Sequence, residues 1–126
     1  GTAAERITAL AQTIANGKIC RIKYGSYTGN GKYGAANAVS IECGFYPLLV
    51  VVSSSSSSHY WAVRGFDKFY YNNNRENEMT WGDTGVSWYY PQDDQYYSPS
   101  GNQMNAIDTT YYYLVLGYSN DGEQGN

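Results

Sequence analysis

The stretch "LVVVSSSSSSHYWAV" (residues 49–63) places six consecutive serines between two runs of β-favouring residues. A serine gains little apolar burial for the backbone entropy that it loses on ordering, so the tract at 53–58 belongs in a surface loop. The flanking runs are rich in Val, Tyr and Trp, which favour strands. The stretch therefore predicts two neighbouring strands of one sheet, joined by an exposed serine loop at one end of that sheet.

The rest of the chain shares this bias towards strands. Its 126 residues correspond to one domain, and they include 15 Tyr and 14 Gly with only 15% charged residues. The run Leu48 to Val52 is continuously apolar, which predicts a strand buried on both faces, either in the middle of a sandwich or at a subunit seam. Tyr111 to Leu116 predicts a final strand central in its sheet. We expect an all-β protein, with an antiparallel β-sandwich head over residues 18–118 and a polar C-terminal tail over 119–126.

Residues 1–17 predict the one short α-helix that precedes this head. Thr2 and Glu5 have the spacing of a capping box, and Gly17 is a typical helix stop. The helix either docks on its own domain or forms the end of a multi-chain coiled-coil stalk. The missing initiator Met favours a piece of a longer polypeptide, and hence the stalk. In that interpretation the oligomerisation seam is the heptad-spaced set Ala3, Ile7, Leu10 and Ile14.

Charge is unevenly distributed along the chain. Residues 1–75 hold all eight Lys and Arg with three acidic residues, whereas residues 76–126 hold eight acidic residues and no basic one. A nucleic-acid surface needs clustered cations to displace counterions from phosphate. The acidic, tyrosine-rich half therefore argues against nucleic acid as a partner.

Two cysteines are too few for a disulfide scaffold or a zinc site. Cys20 and Cys43 lie in strand-like runs and predict buried thiols, with a single bridge between two strands as the alternative. The N-terminal residues have no basic segment followed by an apolar run, and no stretch approaches membrane-spanning length. We therefore expect no signal peptide, membrane insertion, metal or other cofactor.

The segment "GNGKYG" (residues 29–34) has the literal form G-x-G-x-x-G of a dinucleotide-binding loop. Its context excludes that interpretation, because such a loop opens a long helix and here another strand-like run follows. Asn30-Gly31 between Tyr- and Thr-rich flanks instead predicts a hairpin turn.

Residues 66–105 differ from the rest in having few aliphatic and many aromatic, amide and acidic side chains. Such a region should not form the interior. Exposed rings provide contact area at little rotamer cost, and small polar groups supply adaptable hydrogen bonds, as a recognition surface for sugars or proteins requires. The alternative is that some rings pack on their own sheet or on a neighbouring subunit. The candidate ligand-binding residues are Tyr70, Tyr71, Asn73, Trp81, Trp88, Tyr89, Tyr90, Asp93, Asp94, Tyr96 and Tyr97.

Three pieces of the sequence together resemble the terminal domain of bacteriophage tail-fibre or minor tail proteins from phages and prophages of gut bacteria. They are the "GSYTGNGKYG" turn, "FYP" before an aliphatic strand, and the closing strand "TTYYYLVLGY". The resemblance implies a homotrimer with a coiled-coil stalk, located in the virion tail and assembled in the bacterial cytoplasm. It also implies a receptor-binding tip that recognises a cell-surface glycan or protein, with a hypervariable region between the matching pieces.

An enzyme is not expected. His59 is the single histidine, and neither a nucleophile elbow nor a placed acid accompanies it. Carboxylate pairs for glycoside hydrolysis exist at Glu76 with Glu78 and at Asp93 with Asp94 or Asp83, but a depolymerase usually needs a larger scaffold. The main alternative to receptor binding is a structural domain that trimerises and caps a fibre, with the aromatic side chains between subunits.

Overall fold

The computed structural model describes residues 2–15, 18–55, 58–65, 68–71, 75–91 and 98–120. Strands dominate these ranges, so the prediction of an all-β fold with a short N-terminal helix is confirmed. The elements are α1 (Ala3–Ala15), β1 (Lys18–Thr28), β2 (Val39–Glu42), β3 (Tyr46–Ser54), β4 (His59–Val63), β5 (Lys68–Tyr71), β6 (Arg75–Trp81), β7 (Gly85–Tyr89), α2 (Pro99–Asn102) and β8 (Thr110–Asn120).

The strands form two four-stranded antiparallel sheets. Sheet 1 has the order β1-β8-β3-β4, and sheet 2 has the order β2-β7-β6-β5. Side chains from both sheets meet in one hydrophobic core, to which Val50 and Val115 contribute from sheet 1 and Val86 and Trp88 from sheet 2. The molecule is therefore a sandwich of two antiparallel sheets.

The two strongest apolar runs of the sequence become the two central strands of sheet 1. β8 lies between β1 and β3, so the prediction that the final strand is central is confirmed. In β3, Val50 and Val52 are buried, whereas Leu49 and Val51 are only half-buried. Within one chain this run is therefore buried on one face only, because alternate side chains of a strand point to opposite faces and the described residues do not cover the outer face of sheet 1. Burial of that outer face at a subunit seam stays a prediction.

The serine tract connects the neighbouring strands β3 and β4, as predicted. Ser53 is paired with His59 across the ladder, and the Ser53 hydroxyl lies 2.7 Å from Nδ1 of His59. The Ser54 amide donates to the Ser58 carbonyl at 2.8 Å, and the Ser58 amide donates to the Ser54 hydroxyl at 2.9 Å. Serine hydroxyls therefore satisfy the backbone where the loop begins and ends. Residues 56 and 57 lie outside the described residues.

The capping box at the start of α1 is confirmed. The Glu5 amide donates to the Thr2 hydroxyl, and the Thr2 amide donates to the Glu5 carboxylate, both at 3.1 Å. These two hydrogen bonds stabilise the charged carboxylate and hold the pKa of Glu5 below its usual value. Ala3 and Ile7 of the heptad seam are exposed, and the side chains of Leu10 and Ile14 lie outside the described part of the helix.

Two local predictions are wrong. Asn30-Gly31 is not a hairpin turn between adjacent strands, because β1 belongs to sheet 1 and the next strand, β2, belongs to sheet 2. Cys20 and Cys43 are free thiols, as predicted, but the predicted burial of Cys20 is wrong, because Cys20 is exposed on β1 at the edge of sheet 1. Cys43 is half-buried, with its Sγ 3.2 Å from the Phe45 carbonyl oxygen.

Candidate recognition surfaces at the loop end and on the outer faces

The two ends of the sandwich differ in what they carry. At one end, which we call the helix end, β1 begins after α1, and Arg64 connects the two sheets. Its guanidinium donates to the Pro47 carbonyl at 3.1 Å and to the Gly82 carbonyl at 2.9 Å, and it lies 3.6 Å from the centre of the Tyr46 ring. This end is therefore held together by one cation that spans both sheets.

At the opposite end, which we call the loop end, β1, β3 and β5 end and β6 and β8 begin. Thr28 is paired with Thr110, Ser54 with Tyr111, and Tyr71 with Arg75 at this end. Three chain segments start here: the serine loop at 53–58, residues 72–74 between β5 and β6, and residues 92–97 after β7. The described residues that flank these three polar segments thus lie at the end of the sandwich opposite the point where the helix enters.

A buried polar segment, residues 98–106, closes the sandwich at the loop end. Gln103 is completely buried at its centre. The Gln103 side-chain oxygen accepts from the amides of Tyr90 at 2.8 Å and Gly34 at 2.9 Å, and its side-chain nitrogen donates to the Asn37 carbonyl at 2.8 Å. The Gln103 side chain therefore connects its own segment with the β1–β2 connection and with the residue that follows β7. Both of its polar atoms have hydrogen-bond partners.

Neighbouring side chains extend this network. The Trp88 indole donates to the Gln103 carbonyl at 2.9 Å, and the Tyr27 hydroxyl donates to the Met104 carbonyl at 2.8 Å. Burial of Tyr27, with Tyr111 stacked on it, raises the pKa of the Tyr27 phenol well above its usual value. The Tyr27 hydroxyl thus stays protonated to a higher pH than that of an exposed tyrosine, and it remains a donor to the closing segment.

The predicted exposure of Trp88 and Tyr90 is wrong, and these two rings follow the alternative that some rings pack on their own sheet. Trp88 and Tyr90 are 1% and 3% exposed, and Trp81 is half-buried and packs against the core. The expectation that residues 66–105 avoid the interior fails for a physical reason. Residues 76–105 are poor in aliphatic side chains, but Trp88 and Met79 join the aliphatic core, and the buried Gln103 amide next to them is hydrogen-bonded, which lowers the cost of burying it.

The other predicted ligand-binding residues have different positions. Tyr89 is half-buried on the outer face of sheet 2, opposite Glu78. Tyr70 and Tyr71 belong to β5, next to the loop end, and their side chains are not described. Outside the described residues lie Asn73, Asp93, Asp94, Tyr96 and Tyr97. Asn73 falls in the segment between β5 and β6, and the other four fall in the segment after β7.

The outer face of sheet 1 is the main surface that the sequence reasoning missed. The ladder registers align its side chains in three rows across four strands. We call this surface the apolar face; its rows are Ile22, Leu116, Leu49 and Val63 nearest the helix end, then Tyr24, Leu114, Val51 and Trp61, then Ser26, Tyr112, Ser53 and His59 nearest the loop end. Tyr24 and Trp61 are 79% and 67% exposed. A shallow depression of about 430 Å³ lies in its middle, between Tyr24 and Tyr112.

The outer face of sheet 2 has the opposite chemistry. Ser40, Ser87 and Thr80 form one row across β2, β7 and β6, and Glu42 lies beside Gly85 in the next row. A depression of about 200 Å³ is lined by hydroxyl groups and the Glu42 carboxylate. Glu76 and Glu78 follow on β6, separated by the buried Asn77. This face is polar, as expected for a sheet face in contact with water.

The strand patterns contained the signal for the apolar face. In "CRIKYGSY" one alternate set is Cys20, Ile22 and Tyr24, and in "HYWAV" another is Trp61 with Val63. Only the pairing of β1 and β4 into the same sheet as β8 and β3 shows that these sets share one outer face.

Neither a metal site nor a membrane-crossing helix is found in the described parts of the chain. No group of three or more His, Cys, Asp or Glu side chains there could hold a metal ion. No helix among the same residues is long and apolar enough to cross a membrane.

Comparison with protein-family models, with curated proteins and with solved structures finds no match for this chain. What the fold and the surfaces define is a class of architecture: an antiparallel β-sandwich with a helix entering at one end, polar segments starting at the other, and one apolar outer face.

Proposed function

We propose that the chain is the receptor-binding tip of a phage tail fibre, located in the virion tail, and that it recognises a bacterial surface glycan or protein without acting on it as an enzyme. The observation that carries this proposal is the polarity of the molecule. The helix enters at one end, and the serine loop and the segments 72–74 and 92–97 start at the other. A fibre tip needs this arrangement, with its attachment and its contact surface at opposite ends.

The composition of the loop end supports the same proposal. The segments 72–74 and 92–97 contribute Asn, Asp, Gln and Tyr side chains, whose rings and hydrogen-bonding groups suit sugars and polar protein surfaces. Tyr90, which leads into the second segment, is anchored to Gln103. Contact residues on a rigid base lose less entropy on binding than residues on a mobile one. The resemblance to tail-fibre terminal domains points in the same direction.

A structural cap that only trimerises and terminates a fibre is the second candidate. The exposed apolar face favours it, because a large apolar surface on a soluble domain usually marks an interaction site. The two roles are compatible, since the apolar face and the loop end are different surfaces. The question is whether the loop end also binds a receptor.

The test is retention of the fluorescently labelled protein on a panel of intact gut bacteria. The variant Tyr96→Ala with Tyr97→Ala changes the segment after β7, and Asp83→Ala, an exposed residue between β6 and β7 at the helix end, is the matched control. We expect selective binding to some strains, loss of that binding in the double variant, and retention in the control. Trp88→Ala is unsuitable as a binding variant because it opens a cavity in the core.

Folded wild-type protein that binds no strain would contradict the proposal and leave the structural cap. Binding that survives the double variant but is lost in a variant of the apolar face would move the receptor contact to sheet 1. Circular dichroism and a thermal melt of each variant establish that the fold is unchanged.

A further inference from the structure

The apolar face has no charged side chain, although it is among the most exposed parts of the molecule. None of its twelve residues is Asp, Glu, Lys or Arg, and Ile22, Tyr24, Trp61 and Tyr112 are each more than half exposed. We propose that this face packs against the same face of further copies of this chain, with the strands of the copies parallel.

The contrast with sheet 2 shows that exposure of the apolar face is not the ordinary state of this sandwich. The outer face of sheet 2 carries Ser, Thr and Glu side chains together with Tyr89, whereas two of the three rows of the apolar face consist of Leu, Ile, Val, Tyr and Trp alone. The largest exposed apolar patch on a monomeric protein usually measures about 300–600 Å² and is often an interaction site. The three rows across four strands cover roughly 400 Å² in flat projection, from the standard strand and residue spacings.

The absence of charge on the apolar face indicates what kind of partner it can bind. An uncharged apolar surface gains most from another uncharged apolar surface, and a charged or strongly hydrogen-bonding partner would lose solvation without compensation. The polar outer face of sheet 2 does not fit it. The best complement that the described residues offer is the face itself, with Leu114 and Val51 in the middle and larger rings at both edges.

The order of the rows selects the parallel arrangement. The row nearest the helix end is aliphatic, and the row nearest the loop end carries Ser26, Ser53 and His59. Parallel copies place aliphatic rows on aliphatic rows and hydroxyl rows on hydroxyl rows, whereas antiparallel copies would place the serines and His59 on leucines. In a parallel cyclic assembly β1 of one copy faces β4 of the next, so Tyr24 meets Trp61.

The parallel arrangement also brings the helices together at one end. Ala3 and Ile7 of the heptad seam are exposed and are not covered by the described part of their own domain. Stable protein interfaces bury about 800 Å² on each partner, roughly twice the projected area of the apolar face. The helix seam supplies additional contact in the same assembly. Self-association is independent of receptor binding at the loop end, so either proposal can fail alone.

The experiment measures the mass of the full chain by sedimentation equilibrium over a range of concentrations. We expect a dimer or a trimer for the wild type. The variant Ile22→Glu with Trp61→Glu places two carboxylates on the apolar face and should sediment as a monomer. The matched control Ser40→Glu with Thr80→Glu places them on exposed positions of sheet 2 and should keep the wild-type mass.

Charge exchange tests the arrangement itself. Tyr24→Lys and Trp61→Glu should each weaken association alone, because each places an unpaired charge in the interface. Mixing the two folded variants should restore it, because lysine on β1 then faces glutamate on β4. Recovery in the mixture would support the parallel arrangement.

A folded wild type that is monomeric at all concentrations would overturn the proposal. A mixture of the Tyr24→Lys and Trp61→Glu variants that does not associate would overturn it as well. An apolar-face variant that keeps the wild-type mass but no longer binds bacteria would also overturn it and assign the face to the receptor. Monomeric wild type that binds bacteria would leave the receptor-binding proposal intact.

Discussion

Gln103 illustrates how a polar residue can act as core in this protein. Its amide lies between two backbone N–H donors and one carbonyl acceptor at distances of 2.8–2.9 Å, with no exposed surface. From sequence alone the same residue belongs to a polar, loop-like region, "SPSGNQMN". Burial of an amide costs least when its groups are paired, and for Gln103 that pairing comes from residues 13 to 69 positions away.

Replacement of Gln103 by leucine should destabilise the domain strongly. Leucine fills a similar volume but leaves the Gly34 and Tyr90 amides and the Asn37 carbonyl buried without partners, and each such group costs about 1–3 kcal/mol. We expect the free energy of unfolding in urea to fall by at least ~3 kcal/mol. Thr84→Val, at an exposed position, is the control and should change it little. Equal stability of the two variants would show that the network contributes nothing.

Gly117 is required by a close approach between two strands. The register of β3 against β8 shifts between Pro47 and Leu49, which is an irregularity of the β-bulge type. There the backbone of β3 approaches Gly117 so closely that an added Cβ would overlap the Tyr46 carbonyl and lie 2.9 Å from the Pro47 Cα.

Gly117→Ala should therefore strain the centre of sheet 1 and lower the free energy of unfolding by about 1–3 kcal/mol or more. Gly101→Ala is the matched control, because its Cβ would meet only the Ser98 side chain at an ordinary distance of 3.7 Å. Thermal denaturation of the two variants compares them directly. A similar melting temperature for both would mean that the bulge relaxes without cost.

At the scale of elements, α1 is a helix whose start is specified locally and whose described seam residues, Ala3 and Ile7, are exposed. The capping box is formed, but a helix of 13 residues is marginal in water without packing. Its stability should therefore depend on the cap and on whatever covers the seam.

The cap makes the helix sensitive to acid. The folded-state pKa of Glu5 is lowered by its hydrogen bonds to Thr2, so the stabilisation is present above the usual pKa near 4.5 and is lost as the pH falls through the lowered value. We expect the helical circular dichroism signal to decrease in that acidic range. Thr2→Ala should lower the signal at neutral pH and remove this dependence. A helical signal that is independent of pH in the wild type would contradict the prediction.

At the scale of the whole molecule, different interactions connect the two sheets at the two ends of the sandwich. The buried amide network closes the loop end, and Arg64 connects the sheets at the helix end. Arg64 is a single residue in a loop-like "VRGF" context, and its sequence gives no sign that it reaches the carbonyls of Pro47 and Gly82.

Arg64→Met should lower the free energy of unfolding, by about 2 kcal/mol, because it leaves two carbonyls without their charged donor and removes a cation–π contact. Arg64→Lys should be intermediate, since an ammonium group keeps the charge but cannot reproduce the planar fork. Lys32→Met, at an exposed position, is the control. Chemical denaturation measures the free energy of unfolding of all three variants. An unchanged value for Arg64→Met would show that the contacts of Arg64 do not stabilise the sandwich.

The sequence by itself determined those features that depend on neighbouring residues. The capping box, the helix, the strand pair around the serine loop and the all-β class follow from spacing and local preference, which act over a few residues. Periodicity also places alternate side chains on opposite faces of β1 and β4, but it does not say which strands share a sheet.

Only the tertiary structure decided which aromatic residues are core and which are surface. Trp88 and Tyr90 are buried because β7 lies in the middle of sheet 2, over the closing segment, whereas Tyr24 and Trp61 are exposed because β1 and β4 point them away from the core. A tyrosine or tryptophan has the same local preference in either position. Its exposure depends on contacts with distant segments, so the fold class could be predicted from the sequence and the apolar face could not.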